Sequence, residues 1–269
     1  MPETRFVFRK IDALREEERR PIRRRSGAMQ LYGILGGMGP LAGAHLFRRI
    51  TELTKASSDQ EHIPIILYSV PQIPDRSDAI LGRGKSPLPE ILRGLSMLTQ
   101  SGVHEVALAC NTAHYWHEQM STARHVPIIH IVDAVISRLQ QSIGAATKIG
   151  ILATDGTVRG GFYKERLQKA GFSIEDPTRY ELDELIGPAI HAVKAGEMML
   201  AERLFVTAAM RQLDRGVEKI ILGCTEVGIV LHETEASPYL DSTESLARYC
   251  VARWHKKTPS APTYCGEGD

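Results

Sequence analysis

Two cysteines stand in similar local sequences, one in each half of the chain. Cys110 ends the apolar run Glu105–Ala109, and Cys224 ends the run Glu218–Gly223. Short apolar runs bounded by turn and cap residues predict buried parallel strands. A threonine follows each cysteine within two residues and is suited to begin a helix. Because ligands bind at the carboxyl ends of such strands, we expect both thiols at a ligand-binding edge.

The two thiols suggest proton transfer at carbon. A helix N-terminus behaves as a partial positive charge, which favours ionisation of a neighbouring cysteine. One thiolate can then remove a proton from a carbon while a thiol on the opposite face returns one. A single cysteine at a strand end is more often buried packing. The paired context of Cys110 and Cys224 instead favours racemisation or epimerisation by two bases.

Groups that bind carboxylates occur in the same segments. The N–H groups of Asn111, Thr112 and Ala113 form a candidate anion site at a helix start. Arg76, on a loop with two prolines, offers a bidentate clamp for a carboxylate. Lys194, near the end of a predicted helix, offers a second cation. Alone, Arg76 would be read as a surface ion pair and Lys194 as a partner of the helix dipole.

Signals for cofactors and metals are weak. The run Gly36-Gly37-Met38-Gly39 lacks the G-x-G-x-x-G spacing of a dinucleotide loop and the Lys-Ser/Thr of a phosphate loop. Cys110, His114 and Cys224 could bind a metal, but their spacing matches no recognised site. We therefore expect neither a cofactor nor a metal.

Composition and charge narrow the class of protein. The 269 residues suffice for one large domain or two small ones, and the net charge is only +1. Residues 1–28 carry nine Lys and Arg against five Asp and Glu, which leaves the remainder at −3. By charge, the body of the protein is not a nucleic-acid binder. We expect residues 1–28 to be a disordered basic arm.

The lengths of the apolar runs and the number of cysteines indicate the cellular compartment in which we expect the protein. No apolar run approaches the roughly 18 residues needed to span a membrane. Four cysteines in a chain of this length do not form a disulfide framework, which favours a reducing cytoplasm. We therefore expect a cytoplasmic protein without a membrane partner.

Hydrophobic periodicity predicts alternating strands and helices from residue 31 onward. The predicted strands are 31–35, 63–70, 105–109, 127–131, 148–153 and 219–222. The predicted helices are 40–55, 87–101, 112–123, 132–141, 157–170, 181–194, 198–215, 225–231 and a final helix from 241 to about 255. Such alternation predicts an α/β fold with parallel sheets flanked by helices.

The repeated strand–Cys–Thr pattern predicts that the fold consists of two pseudo-symmetric lobes, with the active site in the cleft between them. We expect a first lobe over 29–146 and a second over 147–240, with a C-terminal helix at 241–256 that returns to the first lobe.

Several segments resemble the aspartate/glutamate racemase family, and most closely its cofactor-independent aspartate racemases. In family order, the matching segments are Gly33–Pro40, Pro71–Arg76, Cys110–His114, Ile151–Thr154, Gly156-Thr157, Val193–Gly196 and Gly223–Glu226. Together they span most of residues 31–245, and their common order makes the resemblance specific where each segment alone would be weak.

The resemblance implies a two-lobed enzyme, commonly a homodimer, that interconverts L- and D-aspartate without pyridoxal phosphate. It implies that Cys110 and Cys224 are the acid/base thiols and that Arg76 and Lys194 recognise the side-chain carboxylate of a dicarboxylic amino acid. The residues that it implies for the α-carboxylate region and the pocket lining are Asn111, Thr112, Ala113, Met38 and Thr225.

Other functions remain open at this point. The same fold could racemise glutamate or many amino acids, and hydantoin racemases and maleate isomerases are also relatives. From other classes, the protein could be a non-catalytic amino-acid-binding module, or a metal-dependent hydrolase that uses Cys110, His114 and Cys224.

Overall fold

Two four-stranded parallel sheets organise the protein. The computed structural model describes residues 30–123, 126–142 and 147–257, so the predicted arm at 1–28 lies outside the described residues. The strands are β1 (Tyr32–Gly36), β2 (Ile65–Ser69), β3 (Glu105–Leu108), β4 (Ile128–Ile129), β5 (Lys148–Leu152), β6 (Ser173–Glu175), β7 (Lys219–Leu222) and β8 (Tyr239–Asp241).

Helices connect the strands throughout. The α-helices are α1 (Pro40–Leu53), α2 (Arg76–Ile80), α3 (Leu88–Gln100), α4 (His117–Ala123), α5 (Ile131–Ser142), α6 (Asp155–Gly160), α7 (Phe162–Lys169), α8 (Gly187–Ala195), α9 (Met198–Asp214), α10 (Thr225–Val230) and α11 (Ser242–Lys257). None of the described helices combines the length and the apolar character needed to cross a membrane.

The two sheets have the same topology. Their strand orders are β2-β1-β3-β4 and β6-β5-β7-β8, and every pairing is parallel. In each sheet the first strand along the chain (β1 or β5) is internal, and the next strand (β2 or β6) pairs with it at one edge. The chain then crosses over so that the third strand (β3 or β7) pairs with the opposite side of the first. The crevice at such a crossover, outside the carboxyl ends of the strands, is where ligands bind. The predicted fold class is confirmed, and Cys110 and Cys224 follow the equivalent strands β3 and β7.

A shared apolar core joins the two halves. One cluster of buried side chains contains Ile34 and Ala107 from the first sheet together with Ile151 and Ile221 from the second. Two further clusters cover the outer faces of the two sheets. Burial on both faces explains why β3 and β7 read as continuous apolar runs without alternation.

The C-terminal helix packs on the first half of the chain. Leu246, Ala247 and Cys250 of α11 belong to the shared cluster, and α11 lies against α1 and α5. The limits of the two lobes at 146 and 240 stay predictions, since the shared core crosses both.

Two predicted helices are interrupted in the structure. The helix expected at 157–170 is divided into α6 and α7 because Gly161 adopts a left-handed conformation, with φ of 70°. Glycine ends helices in this conformation since it has no Cβ to clash. The helix expected at 112–123 opens as the 3₁₀ turn Thr112–Trp116 before α4 begins.

Other elements also differ from the sequence expectation. The helix expected at 181–194 begins with the π-helical turn Glu181–Ile186, which precedes Pro188. A proline has no N–H to donate to the preceding turn, and its ring displaces that turn's carbonyl. The strands β6 and β8 and the short helix α2 were not predicted because segments of three to five residues carry little periodicity.

A buried ion pair fastens α11 to β3. Arg253 Nε lies 3.1 Å from Glu105 Oε2, its Nη2 contacts Oε1, and the Tyr32 hydroxyl donates to Oε2 at 3.2 Å. Glu105 is only 2% exposed. Removing the cation leaves a carboxylate in a site with little water, which is costly.

We therefore expect Arg253→Ala to lower the free energy of unfolding by about 3 kcal/mol. The matched control is Arg83→Ala, which removes the exposed pair with Asp78 and should cost less than about 1 kcal/mol. Urea denaturation of both variants measures the difference. Equal losses in the two variants would show that the Glu105 pair does not anchor α11.

Candidate active site

A cavity of about 30 Å³ lies where the carboxyl ends of β3 and β7 meet. Eight of the nine residues predicted for the site line it: Met38, Arg76, Cys110, Asn111, Thr112, Lys194, Cys224 and Thr225. The ninth, Ala113, is fully buried, and its N–H is a hydrogen-bond donor to Cys110. The structure thus brings together side chains from segments that are distant in sequence.

The cavity is smaller than one amino acid. Its volume is room for about two water molecules. A bound amino acid therefore needs more room than the surrounding side chains leave in this arrangement.

Cys110 lies beside a cation. Its thiol is free and 4% exposed. Burial raises the pKa of the Cys110 thiol, whereas the Arg76 guanidinium and the Ala113 N–H act in the opposite direction. These neighbours favour the thiolate of Cys110 over what burial alone would permit.

Cys224 lies beside a carboxylate. Its free thiol is 6% exposed and donates a hydrogen bond to Glu226 Oε2 at 2.9 Å. The Thr225 hydroxyl donates to the same oxygen, also at 2.9 Å. Burial and the Glu226 carboxylate together raise the pKa of Cys224 well above its ordinary value. Cys224 is therefore held as a thiol.

Glu226 was not predicted as a site residue. It is 7% exposed, it lines the cavity, and it follows Thr225 directly. The only signal in the sequence was its place at the end of the Gly223–Glu226 segment. Whether its carboxylate turns back to the preceding cysteine depends on the tertiary structure around α10.

The guanidinium of Arg76 already donates hydrogen bonds to main-chain carbonyls. Its Nη1 donates to the carbonyls of Ile73 and Pro74 at 3.2 and 3.1 Å, and its Nη2 donates to the carbonyl of Met38 at 3.0 Å. Its buried Nε has no hydrogen-bond partner among the described residues. The guanidinium is therefore held in place beside Cys110, with less freedom than a simple carboxylate clamp would have.

Lys194 is the more available cation. It lies in the last turn of α8, which ends at Gly196, and it is exposed while also lining the cavity. Within the described part of the chain its ammonium has no ion pair or hydrogen bond. It can therefore receive an anion from solvent.

The two halves touch around the cavity. The Thr112 hydroxyl of the first half lies 3.1 Å from the Thr154 hydroxyl and 2.9 Å from the Thr157 hydroxyl. Nearby, α2 packs on Gly156 of α6 so closely that an added Cβ would lie 2.6 Å from Ser77 Cα. Only glycine permits this approach, which brings the helix that carries Arg76 against the second half.

The cleft thus holds two free thiols, two cations and a carboxylate. Comparison with known protein families identifies the chain independently of this geometry. A family model described as Asp/Glu/Hydantoin racemase matches residues 35–250. The chain belongs to the Asp/Glu/Hydantoin racemase family. The resemblance inferred from the sequence motifs is thereby confirmed.

Individual members of this racemase family are similar over most of the chain. An aspartate racemase structure from Picrophilus torridus has a TM-score of 0.74 and 29% identity, and the match covers 83% of this chain and 94% of the other. The broad specificity amino-acid racemase RacX of Bacillus subtilis is 26% identical, over 83% of this chain and 98% of its own. A glutamate racemase of Aquifex pyrophilus is 27% identical, over 56% of this chain and 58% of its own.

His114, considered in the sequence as a metal ligand, contacts the main chain in this racemase family member. Its Nδ1 lies 2.8 Å from the carbonyl of Cys110, and its Nε2 lies 3.2 Å from that of Ile129. Its ring packs against His130, with centroids 4.9 Å apart. The described residues contain no group of three or more His, Cys, Asp or Glu side chains that could hold a metal ion.

Burial of His114 makes stability depend on pH. Burial lowers the pKa of His114 from 6.5 to about 4. Between pH 6.5 and pH 4, His114 is protonated in the unfolded chain but stays neutral in the folded protein. Stability therefore falls as the pH drops below about 6.5, with a slope of up to about 1.4 kcal/mol per pH unit.

When the pH falls from 7 to 5, we predict that the free energy of unfolding of His114→Asn decreases by about 2 kcal/mol less than that of the wild type. The control is His255→Asn, which changes an exposed histidine on α11 and should retain the wild-type pH dependence. Urea denaturation at the two pH values gives the comparison. A wild-type slope in the His114 variant would refute the assignment.

Proposed function

We propose that this racemase-family protein interconverts L- and D-aspartate by proton transfer between Cys110 and Cys224. The observation that carries the proposal is the position of two free thiols at the ends of equivalent strands, lining one cavity with two cations. Two thiols on opposite faces of a bound amino acid can remove and return its α-proton. The thiols themselves act as acid and base in such a reaction, so we propose that it needs no cofactor.

The neighbours of the two thiols support different starting roles. In this proposal Cys110, whose ionisation burial opposes and Arg76 favours, begins as the thiolate and takes the α-proton from one face of the substrate. Cys224 begins as the thiol and gives its proton to the opposite face. The reaction leaves Cys110 as a thiol and Cys224 as a thiolate. The same two transfers in reverse convert the other enantiomer.

The cations support a dicarboxylic substrate. Lys194 is available for the side-chain carboxylate, and the unpartnered Nε of Arg76 is a second donor in the same cavity. The main chain at Asn111 and Thr112 is the proposed seat of the α-carboxylate. The similar aspartate racemase of Picrophilus torridus supports aspartate among the dicarboxylic amino acids. We further propose a cytoplasmic homodimer.

Replacement of either thiol tests the mechanism. We expect Cys110→Ala and Cys224→Ala each to lower the rate of aspartate racemisation by at least about 100-fold, because each removes one of two required proton carriers. Cys250→Ala is the matched control, since Cys250 is also free and buried but belongs to the core and does not line the cavity. Chiral chromatography of L- and D-aspartate measures the rate. Normal racemisation by either site variant would disprove the two-thiol mechanism.

Lys194→Met tests the substrate class. We expect kcat/KM for aspartate to fall by at least about tenfold, because one charge-assisted contact to the substrate is lost. Turnover of alanine, which has no side-chain carboxylate, should change much less. Lys164→Met, which removes a surface pair with Asp176, is the control.

The wild-type protein is assayed on aspartate, glutamate and neutral amino acids in parallel. Equal turnover of all of them would replace the aspartate proposal with broad specificity. Thermal stabilisation by aspartate without any turnover would instead indicate a binding module.

A further inference from the structure

A chain of buried hydrogen bonds connects the ends of the two cysteine-bearing strands. The Tyr163 hydroxyl donates to Asn111 Oδ1 at 2.6 Å, and Asn111 Nδ2 donates to Ser242 Oγ at 3.0 Å. Ser242 Oγ in turn donates to the carbonyl of Leu222 at 2.6 Å. Asn111 follows Cys110 directly, and Leu222 is the last residue of β7, two positions before Cys224. We call Tyr163, Asn111 and Ser242 the relay.

The polarity of the relay is determined by its last member. A carbonyl can only accept, so the single hydroxyl proton of Ser242 points to Leu222. Ser242 must then accept from the amide nitrogen of Asn111, which leaves the amide oxygen facing Tyr163. Only one orientation of the Asn111 side chain satisfies all three bonds.

The relay is shielded from water. Asn111 is 2% exposed, Tyr163 3% and Ser242 0%. Burial raises the pKa of Tyr163 and outweighs the opposing effect of the Ser242 hydroxyl, so the Tyr163 hydroxyl keeps the proton that it donates. With no water to take over, loss of one hydroxyl leaves its partner in the chain unsatisfied.

The relay also joins separate parts of the fold. Tyr163 lies in the first turn of α7 and Ser242 in the first turn of α11. Asn111 lies three residues beyond the end of β3 in the first sheet, and Leu222 ends β7 in the second. The amide of Asn111 is thus engaged by the protein itself, although Asn111 also lines the cavity.

We propose that Ser242 and Tyr163 are positioning residues that hold the ends of β3 and β7 in register and so set the separation between Cys110 and Cys224. The inference rests on the proposed racemase function, since that separation matters when two thiols act on opposite faces of one substrate. Proton transfer requires reacting atoms at close range, and displacements of about 1 Å are enough to cost large factors in rate.

Ser242→Ala and Tyr163→Phe test the relay with aspartate in deuterated water. We expect kcat to fall by at least about tenfold while KM stays within about threefold, because alignment and not binding is lost. When the second thiol is misplaced, the proton held by the first thiol has time to exchange with the solvent, and a deuteron is then returned to the same face of the substrate. Deuterium in recovered substrate, relative to product, should therefore rise by at least about threefold.

Two matched controls separate alignment from general destabilisation. Ser245, also in α11, is equally buried, and its hydroxyl donates to the carbonyl of Asp241 at 2.6 Å. Tyr32 is as buried as Tyr163 and donates to Glu105 at 3.2 Å. Ser245→Ala and Tyr32→Phe should lower thermal stability without a change in the deuterium ratio. If the relay variants match these controls in kcat and in deuterium ratio, the proposal is wrong.

A second measurement does not depend on turnover. Diamide oxidises two nearby thiols to a disulfide, and peptide mapping detects the bond between Cys110 and Cys224. We expect it to form at least about threefold faster in the relay variants than in the controls, since the strand ends are less restrained. If the wild type racemises no amino acid, the proposed function is wrong, but the rate of disulfide formation still tests the relay. Equal rates of disulfide formation in the relay variants and the controls would overturn the positioning role of Ser242 and Tyr163.

Discussion

The thiols of Cys110 and Cys224 are nearly free of water, and in that setting an uncompensated thiolate is costly. The charges around them therefore control the chemistry. Arg76 offsets part of the cost at Cys110, and Glu226 adds to the cost at both thiols, most directly at Cys224, whose thiol it binds. The two thiols therefore have different electrostatic surroundings although they occupy equivalent positions. Such a difference suits a two-base reaction, because one group must accept a proton while the other holds one.

The repeated sheet topology explains why the thiols share a cavity. Each sheet places its cysteine at the carboxyl end of the strand beside its crossover, and the shared apolar core keeps the two sheets together. Contacts across the cavity then close it to a volume of about 30 Å³. Burial of this kind strengthens every electrostatic interaction inside. The close contact between α2 and Gly156 is one of the contacts that bring the two halves together here.

Much of this arrangement could be predicted from local sequence. The alternating βα pattern led to the α/β class. The two strand–cysteine segments, the two cations and the resemblance to a known family, which alone supplied Met38 and Thr225, led to eight residues that do line the cavity. The wrong or missing predictions concern single secondary-structure elements, and each has a physical cause. Gly161 interrupts a helix by its left-handed conformation, and the three-residue strands β6 and β8 are too short to carry a period.

The sequence by itself determined which residues can do chemistry and which strands carry them, because thiols, guanidinium groups and apolar runs have properties that do not depend on distant contacts. Tertiary structure decided how those residues are used. Glu226 reaches Cys224, the Arg76 guanidinium is held by three carbonyls, and Asn111 is bound by Tyr163 and Ser242. Each of these contacts joins side chains to partners whose position depends on packing, and local periodicity contains no information about that packing.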